Sequence, residues 1–231
     1  MHATDIMTTD VITISLDTEV REIAGLLLQH RISAVPVIDD DNKVLGIVSE
    51  GDLMRRAENE TEERHSWWVE NLLSSSHDAD HYLKTHGRTA REIMSRDVVA
   101  VHEDTPLHEI AQLLEKYHVK RVPVTRDGQL VGLVSRANLL HGLTAKGADL
   151  GVSGSTDDRT IRQSLQQELS AEVGLVSGRI NVIVSDGVVQ LWGLVHNDAE
   201  KTAAEIAAQN TPGVRSVENF LGQVPPWMLE A

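Results

Sequence analysis

The stretch Gly46-Ile47-Val48-Ser49-Glu50-Gly51-Asp52 returns later in the chain as Gly132-Leu133-Val134-Ser135-Arg136-Ala137-Asn138. In both, a serine stands where an apolar run stops, and a carboxylate or carboxamide follows three residues on. Two chemistries fit that spacing. A serine at a helix N-cap with an acceptor three residues later approximates a capping box and stabilises the helix by about 1 kcal/mol. The same helix start turns unpaired N–H groups and positive dipole outward, which suits a phosphate. A carboxylate beside it can accept both hydroxyls of a ribose. For a single copy the cap is the better reading, and the two are compatible if a ligand competes for the cap.

Other reactive patterns are sparse. His77 and His81 are four residues apart, a spacing that puts two imidazoles on one helix face for a metal. No third ligand of matching geometry accompanies them, so a solvated helical segment is the preferred reading and no metal site is assigned. His108-Glu109 opens a helix stripe but lacks the second histidine of a zinc protease motif. Gly-x-Ser-x-Gly, a Walker loop and Gly-x-Gly-x-x-Gly are all missing, so no catalytic residue and no catalytic cofactor are expected.

The elements that must carry the repeated turn are themselves repeated. Residues 3–54 and 90–140 are one unit written twice: Ala3, Ile6, Met7, Asp10 and Val11 align with Ala90, Ile93, Met94, Asp97 and Val98. Val35, Pro36 and Val37 align with Val122, Pro123 and Val124, and the register then slips by one because the Asp39–Lys43 turn is longer than its partner. Such repeats bury faces against each other, and a cleft made by one should occur twice. Val11–Ile14 reads as a short strand, Thr18 as an N-cap, and Val20, Ile23, Ala24, Leu27 and Leu28 as a helical stripe. Thr105 followed by Pro106 reads as N-cap and N1 of the matching helix. Strands are expected at Val35–Ile38 and Val44–Val48, and a second helix opens at Ser49.

Between the repeats, residues 57–89 are acidic and rich in histidine, with Trp67 and Trp68 adjacent. Residues 144–156 are small, polar and glycine-rich, the composition of a flexible linker. Beyond lies a unit with no copy: a helix bearing Ile161, Leu165 and Leu169, a strand Ile180–Val184, a hairpin at Asp186-Gly187, an alternating strand through Val189, Leu191 and Val195, a helix through Ala203, Ile206 and Ala207, and a last strand Val214–Leu221. Trp192 is out of phase with Leu191 and should leave the core face, to pack on the linker or a dimer mate, or to meet a partner.

Composition sets the bounds. The chain has 231 residues, a formal net charge of −14 and no cysteine. A surface this acidic is a poor match for nucleic acid or anionic lipid. Without cysteine, disulfides, thiolate catalysis and cysteine-ligated metals are excluded. Only 3% of residues are aromatic, so the cores must be aliphatic. Met1-His2-Ala3-Thr4-Asp5 has neither a basic region nor an apolar run, and no stretch approaches a membrane span. A soluble cytoplasmic protein with no transmembrane segment is expected.

Taken together, hydrophobic-Pro-Val-hydrophobic followed by Gly-x-x-Ser-x-x-Asp/Asn, twice, with Asp5-Ile6-Met7 or Glu92-Ile93-Met94 at the head, resembles a pair of cystathionine β-synthase (CBS) domains, a Bateman module. The resemblance implies an adenosine-containing ligand (AMP, ADP, ATP, NAD or S-adenosylmethionine) bound in clefts between the repeats, and a homodimer. It places Ser49 and Ser135 near phosphate or ribose and Asp52 and Asn138 on the ribose. Ala34, Val35 and Pro36, with Arg121, Val122 and Pro123, would wall the purine. The copies differ. Asp52 offers a diol two anionic acceptors, whereas Asn138 offers one carbonyl and a donor and should hold it less strongly. Lys120, Arg121 and Arg136 stand where the first copy has Ser33, Ala34 and Glu50, which points the second copy toward phosphate. Singly, each of these is an ordinary solubilising charge. The final unit, with Gly187-Val188-Val189, Leu191, Gly193, Pro212-Gly213-Val214 and Asn219, resembles a BON domain, which implies a lipid or protein partner rather than catalysis. Acidic residues outnumber basic ones there, which argues against anionic membranes.

The expected fold is α/β (α+β): a CBS repeat at 1–56, an inter-repeat segment at 57–89, a second CBS repeat at 90–143, a linker at 144–156, an αββαβ BON domain at 157–222 and a tail at 223–231. The expected function is a non-enzymatic regulator that senses the adenosine ligand and relays it through the BON domain to an unidentified partner. The alternatives are a dimeric adaptor or scaffold with empty clefts, whose BON domain tethers it to an envelope or protein surface, and a regulatory subunit of a separate enzyme or transporter.

Overall fold

A computed structural model describes residues 1–54, 86–145, 156–171, 173–175 and 180–224. The inter-repeat expectations at Trp67, Trp68, His77 and His81, and most of the 144–156 linker, lie outside those residues. No described helix is long and apolar enough to cross a membrane.

The first repeat builds α1 (Ala3–Ile6), α2 (Val20–His30), β1 (Ala34–Ile38), β2 (Val44–Ser49) and α3 (Glu50–Met54). The second builds α4 (Ala90–Ile93), β3 (Val101–His102), α5 (Leu107–Lys116), β4 (Arg121–Arg126), β5 (Gln129–Ser135) and α6 (Arg136–Ala145). In β1 and β2 the pairing is antiparallel, with Ala34 opposite Ser49. Strands β3, β4 and β5 form one sheet in that order. The hairpin between β4 and β5 turns on Asp127 and Gly128, both at positive φ (51° and 82°).

Some local expectations shift. Val11–Ile14 forms no strand, only a bridge from Ile14 to Val37: the pairing is carried by Ile14, whose N–H donates to Pro36 O at 3.0 Å and whose carbonyl accepts from Ile38 N–H at 2.9 Å. Thr18 does not cap α2: its hydroxyl accepts from Ser15 N–H at 3.1 Å, and Glu19 stands at the cap position without a side-chain bond. Pro106, at φ −61° and ψ 146°, is extended and is itself the residue before α5, so Thr105 lies one position further out.

The compact units do not follow the sequence repeats. One unit contains Met1–Val11 with Val99–Arg126 and Val131–Ala231; the other contains Ile12–Val98 with Asp127–Leu130. The head segments are exchanged. Ala3, Ile6 and Met7 lie in one core with Leu107, Ile110, Val122, Val124 and Val134 of the second repeat. Ala90, Ile93 and Met94 lie in one core with Ile23, Leu27, Val35, Val37 and Val48 of the first. Each head also adds a two-bond bridge to the repeat it joins. Thr8 and Leu133 exchange N–H···O bonds at 2.9 Å, and Ile47 and Ser95 do so at 2.9 and 3.0 Å. This exchange explains the glycine of the repeated motif: a Cβ at Gly46 would collide with the Met94 side chain, and one at Gly132 with Met7 and the Thr8 carbonyl.

The final unit builds α7 (Thr156–Ala171), β6 (Ile180–Ser185), β7 (Val188–Val195), α8 (Asp198–Asn210) and β8 (Ser216–Gln223). Strand β7 is central, antiparallel to β6 and parallel to β8. Asp186 and Gly187, at φ 51° and 72°, supply the two left-handed residues that a tight hairpin requires. Asp158 on α7 accepts both turn amides, Asp186 N–H at 3.0 Å and Gly187 N–H at 2.8 Å. Ile161, Leu165, Leu169, Val182, Val184, Val189, Leu191 and Leu221 fill its core, with Ala204, Ala207 and Ala208 letting α8 lie close.

Candidate functional site

Each repeat ends its hairpin in the same way. In the first, the Ser49 hydroxyl donates to Asp52 Oδ2 at 2.6 Å, and Ser49 N–H donates to the same oxygen at 2.9 Å. Glu50 N–H is taken by the Ser33 carbonyl at 3.0 Å. In the second, Asn138 Oδ1 accepts from the Ser135 hydroxyl at 2.6 Å and from Ser135 N–H at 2.8 Å. Asn138 N–H reaches back to Ser135 Oγ at 3.4 Å. In both turns the residue three later accepts from the serine, and in the second the serine oxygen also accepts a helix N–H. Asp52 and Asn138 are buried, at 5% and 6% exposure, although both are polar.

The copies part at the carboxamide. Asn138 Nδ2 donates to the carbonyl of Ile6, on the exchanged head segment, at 3.0 Å. A carboxylate cannot make that bond, which gives the asparagine a structural reason to be there.

Among the other expected site residues, Ala34, Val35 and Pro36 are buried beside Ser49 in the β1–β2 register. Val122 and Pro123 are likewise buried in β4, with Arg121 half-exposed at its start. Lys120 is joined to Arg136 through the backbone, Arg136 N–H donating to Lys120 O at 3.2 Å. The Arg136 guanidinium donates to the Val119 carbonyl at 3.3 Å and lines an open depression of ≈ 410 Å³ with Leu114, Glu115, His118 and Leu139. The basic trio is therefore clustered in backbone terms, but the Arg136 head lies over the end of α5. No group of three or more metal-ligating side chains occurs among the described residues.

The residues that pattern reading missed join the final unit to the second repeat. Arg162 of α7 is buried, and its guanidinium donates to three carbonyls: Val182 at 2.7 Å, Thr4 at 2.6 Å and Met7 at 2.5 Å. Burial pushes its pKa down to about 10, and nearby Asp5 offsets part of that. It stays charged at neutral pH. Arg159, one turn earlier, donates to the buried Asp5 carboxylate at 3.0 Å, whose other oxygen takes His2 N–H at 2.7 Å. Ile183 points away from its own sheet's core and is fully buried among Ile6, Met7 and Val101. Trp192 leaves its core face as expected. It stacks between Phe220 (4.2 Å, 15°) and His141 of α6 (4.6 Å, 10°), and its Nε1–H donates to Gln190 at 3.2 Å. Sequence signals for this junction existed: Arg162 falls in helical phase with Leu165 and Leu169, and Ile183 is apolar in the outward phase of Asn181.

Comparison with known proteins decides the family. The CBS domain model matches residues 3–59 and 90–145, and the BON domain model matches residues 157–225. The chain is a tandem CBS pair followed by a BON domain. Its relatives include the chloroplastic CBS domain-containing protein CBSX1 of Arabidopsis thaliana, 34% identical over 147 residues, covering 57% of this chain and 58% of that protein. L-aspartate semialdehyde sulfurtransferase of Methanocaldococcus jannaschii is 27% identical over 136 residues, covering 58% of this chain and 22% of the enzyme. The chain thus spans little more than half of the first relative and under a quarter of the second. Among solved structures, CBSX2 in complex with AMP superposes with a TM-score of 0.54 at 26% identity, covering 62% of this chain and 96% of that one. Residues Ser49, Asp52, Ser135 and Asn138 of the CBS pair, and the Arg162 junction of the BON domain, are the positions on which a function can be built.

Proposed function

We propose that this protein is a ligand-responsive regulator whose CBS pair binds an adenosine-containing molecule and whose BON domain passes the bound state to a partner. The carrying observation is the twice-built turn that keeps a polar residue buried beside a half-exposed serine at a strand end. A buried carboxylate that accepts from its own serine can exchange those donors for a ribose diol at little net cost. The AMP complex of the related CBSX2 supports the adenosine class. In this reading Asp52 holds ribose in the first repeat with Ala34, Val35 and Pro36 walling the base. In the second, Ser135 and Asn138 serve the ribose, Val122 and Pro123 the base, and Lys120, Arg121 and Arg136 the phosphates. A homodimer belongs to the same proposal. Its support is the set of exposed apolar side chains on the module's helices, Leu28, Met54, Leu140 and Leu143. A partner of the BON domain would meet the exposed Leu194 and Phe220.

The test is calorimetry of the intact chain with AMP, ADP, ATP and guanosine counterparts, repeated on Asp52→Ala. Adenine compounds should bind, guanine compounds should bind less well, and Asp52→Ala should remove one site. No heat with any adenosine compound at millimolar concentration would overturn the reading. One observation favours the adaptor alternative for the second repeat: both polar atoms of Asn138 are engaged, by Ser135 and by Ile6. A melting screen separates the two, since a ligand at a hundred times its Kd adds about 2.7 kcal/mol of stability and an empty cleft adds none.

A further inference from the structure

Helix α1 is a single turn, Ala3–Ile6, so it cannot satisfy its own terminal carbonyls. Side chains from two different directions do so instead. Asn138 Nδ2 takes the Ile6 carbonyl at 3.0 Å from the turn of the second repeat. Arg162 takes the Thr4 and Met7 carbonyls at 2.6 and 2.5 Å from the BON domain, and the same guanidinium holds Val182 O of β6. Arg159 adds its bond to Asp5. Asn138, Asp5 and Arg162 are each at 6% exposure or less, so water is poorly placed to substitute for any of these bonds. A close-packed interior of this kind shifts as a unit. Among the described residues the other head segment differs: the matching carboxylate, Glu92, is exposed and accepts from the local donors Arg88 N–H, Thr89 N–H and the Thr89 hydroxyl.

We infer that the head segment Thr4–Met7 links occupancy of the second-repeat site to docking of the BON domain on that repeat. The inference rests on the nucleotide reading of the Ser135–Asn138 turn. A ribose hydroxyl donating to Asn138 Oδ1 replaces the Ser135 hydroxyl and fixes the amide plane, while Nδ2 keeps Ile6 O. The head segment is then held where Arg162 needs its carbonyls. Linkage is reciprocal: a docked BON domain pre-orients Asn138 for ligand, and bound ligand holds the BON domain down. Arg162 and Asn138 act here as positioning residues, and a BON partner that lifts the domain would release the ligand.

The test uses the full chain carrying Asp52→Ala, so that only the second site reads, titrated with AMP. Adding Arg162→Leu should weaken AMP binding at least about fivefold, the lower end of allosteric coupling. Arg162→Lys, which keeps the charge but not the three-carbonyl span, should fall between. Hydrogen exchange supplies the arm that a merely structural role would not move: AMP should slow exchange at Val182–Val184 of β6 in the parent chain. Without nucleotide, Asn138→Asp should speed exchange at those same amides, and Arg162→Leu should speed it at Ser135–Asn138 while leaving β1 and β2 unchanged. An AMP affinity within twofold of the parent, with β6 loosened, overturns the inference. So does unchanged exchange in either single variant. If the Asp52→Ala chain binds no AMP, the nucleotide reading of the second site fails, and the exchange measurements alone decide the linkage. If Arg162→Leu does not fold, Arg162→Lys and Asn138→Asp give the answer.

Discussion

The two CBS repeats share a hairpin, a helix start and an exchanged head segment, and among the described residues the head segment packed on the second repeat also takes side-chain bonds from the BON domain. In the first repeat Asp52 closes the turn, and the neighbouring head helix α4 ends in local bonds at Glu92. In the second, Asn138 closes the turn and also grips α1, which Arg159 and Arg162 grip from the far side. The comparison teaches that one substitution, carboxylate to carboxamide, exchanges the better diol acceptor for a donor that ties the turn to its surroundings.

The strongest way to break this comparison is to exchange the two residues. Asn138→Asp loses the bond to Ile6 O and sets a buried negative charge against a carbonyl, so it should cost about 2–4 kcal/mol of stability. Asp52→Asn keeps an acceptor for both Ser49 donors and should cost about 1 kcal/mol. Urea melts of the two variants give both numbers, and equal losses would show that the turns are interchangeable.

A second route goes through the glycines. Gly46→Ala and Gly132→Ala should each destabilise by about 1–3 kcal/mol, because each drives a methyl into an exchanged methionine. The first is set against Met94 side-chain atoms alone, so Met94→Ala should recover part of the loss in a double-mutant cycle. At Gly132 the Thr8 carbonyl also lies 3.0 Å from the added atom, and Met7→Ala should recover less. Full recovery at both sites would mean that backbone contact from the head segment does not distinguish the repeats.

These residues also mark where sequence reasoning stops. The doubled turn, the strands β1, β2, β6 and β7 and the hairpin at Asp186-Gly187 were legible because each is decided by neighbours within a few residues. The αββαβ order of the BON domain followed from periodicity for the same reason. The exchange of head segments was not legible, since Ile6 and Ile93 carry the same local pattern whichever core receives them. The junction was hidden differently. Arg162 shares the helical phase of Leu165 and Leu169, but its three carbonyl partners lie far away in sequence and only the fold brings them to it. Trp192 was correctly turned outward, but only the fold brings His141 beneath it. For the candidate site the sequence supplied residue types and spacing, whereas the second role of Asn138 depended on a contact across most of the module.

The smallest expected effect is a pH dependence confined to the junction. His141 stacks on Trp192, and Asn181 Nδ2 lies 3.5 Å from its Nδ1. Burial lowers its pKa from the ordinary value of about 6.5. A group depressed in this way binds its proton more readily in the unfolded chain. Its neutral form therefore contributes full stability above about pH 6.5, and that contribution is lost as pH falls toward the folded-state pKa. Glu92, held low by the Arg88 and Thr89 N–H groups, and Glu103, held low by Arg126, lose stability in the same direction at more acidic pH. They are common to wild type and to His141→Phe, which keeps the stack without the titration, so the difference between the two isolates the histidine. That difference in melting temperature should be flat above about pH 7 and should shift in favour of His141→Phe as pH falls below about 6. Hydrogen exchange at the lower pH, corrected for intrinsic rates, should rise across β6 in wild type and stay constant across β1 and β2. An equal rise in both regions would assign the acid response to the whole chain and remove the junction as its source.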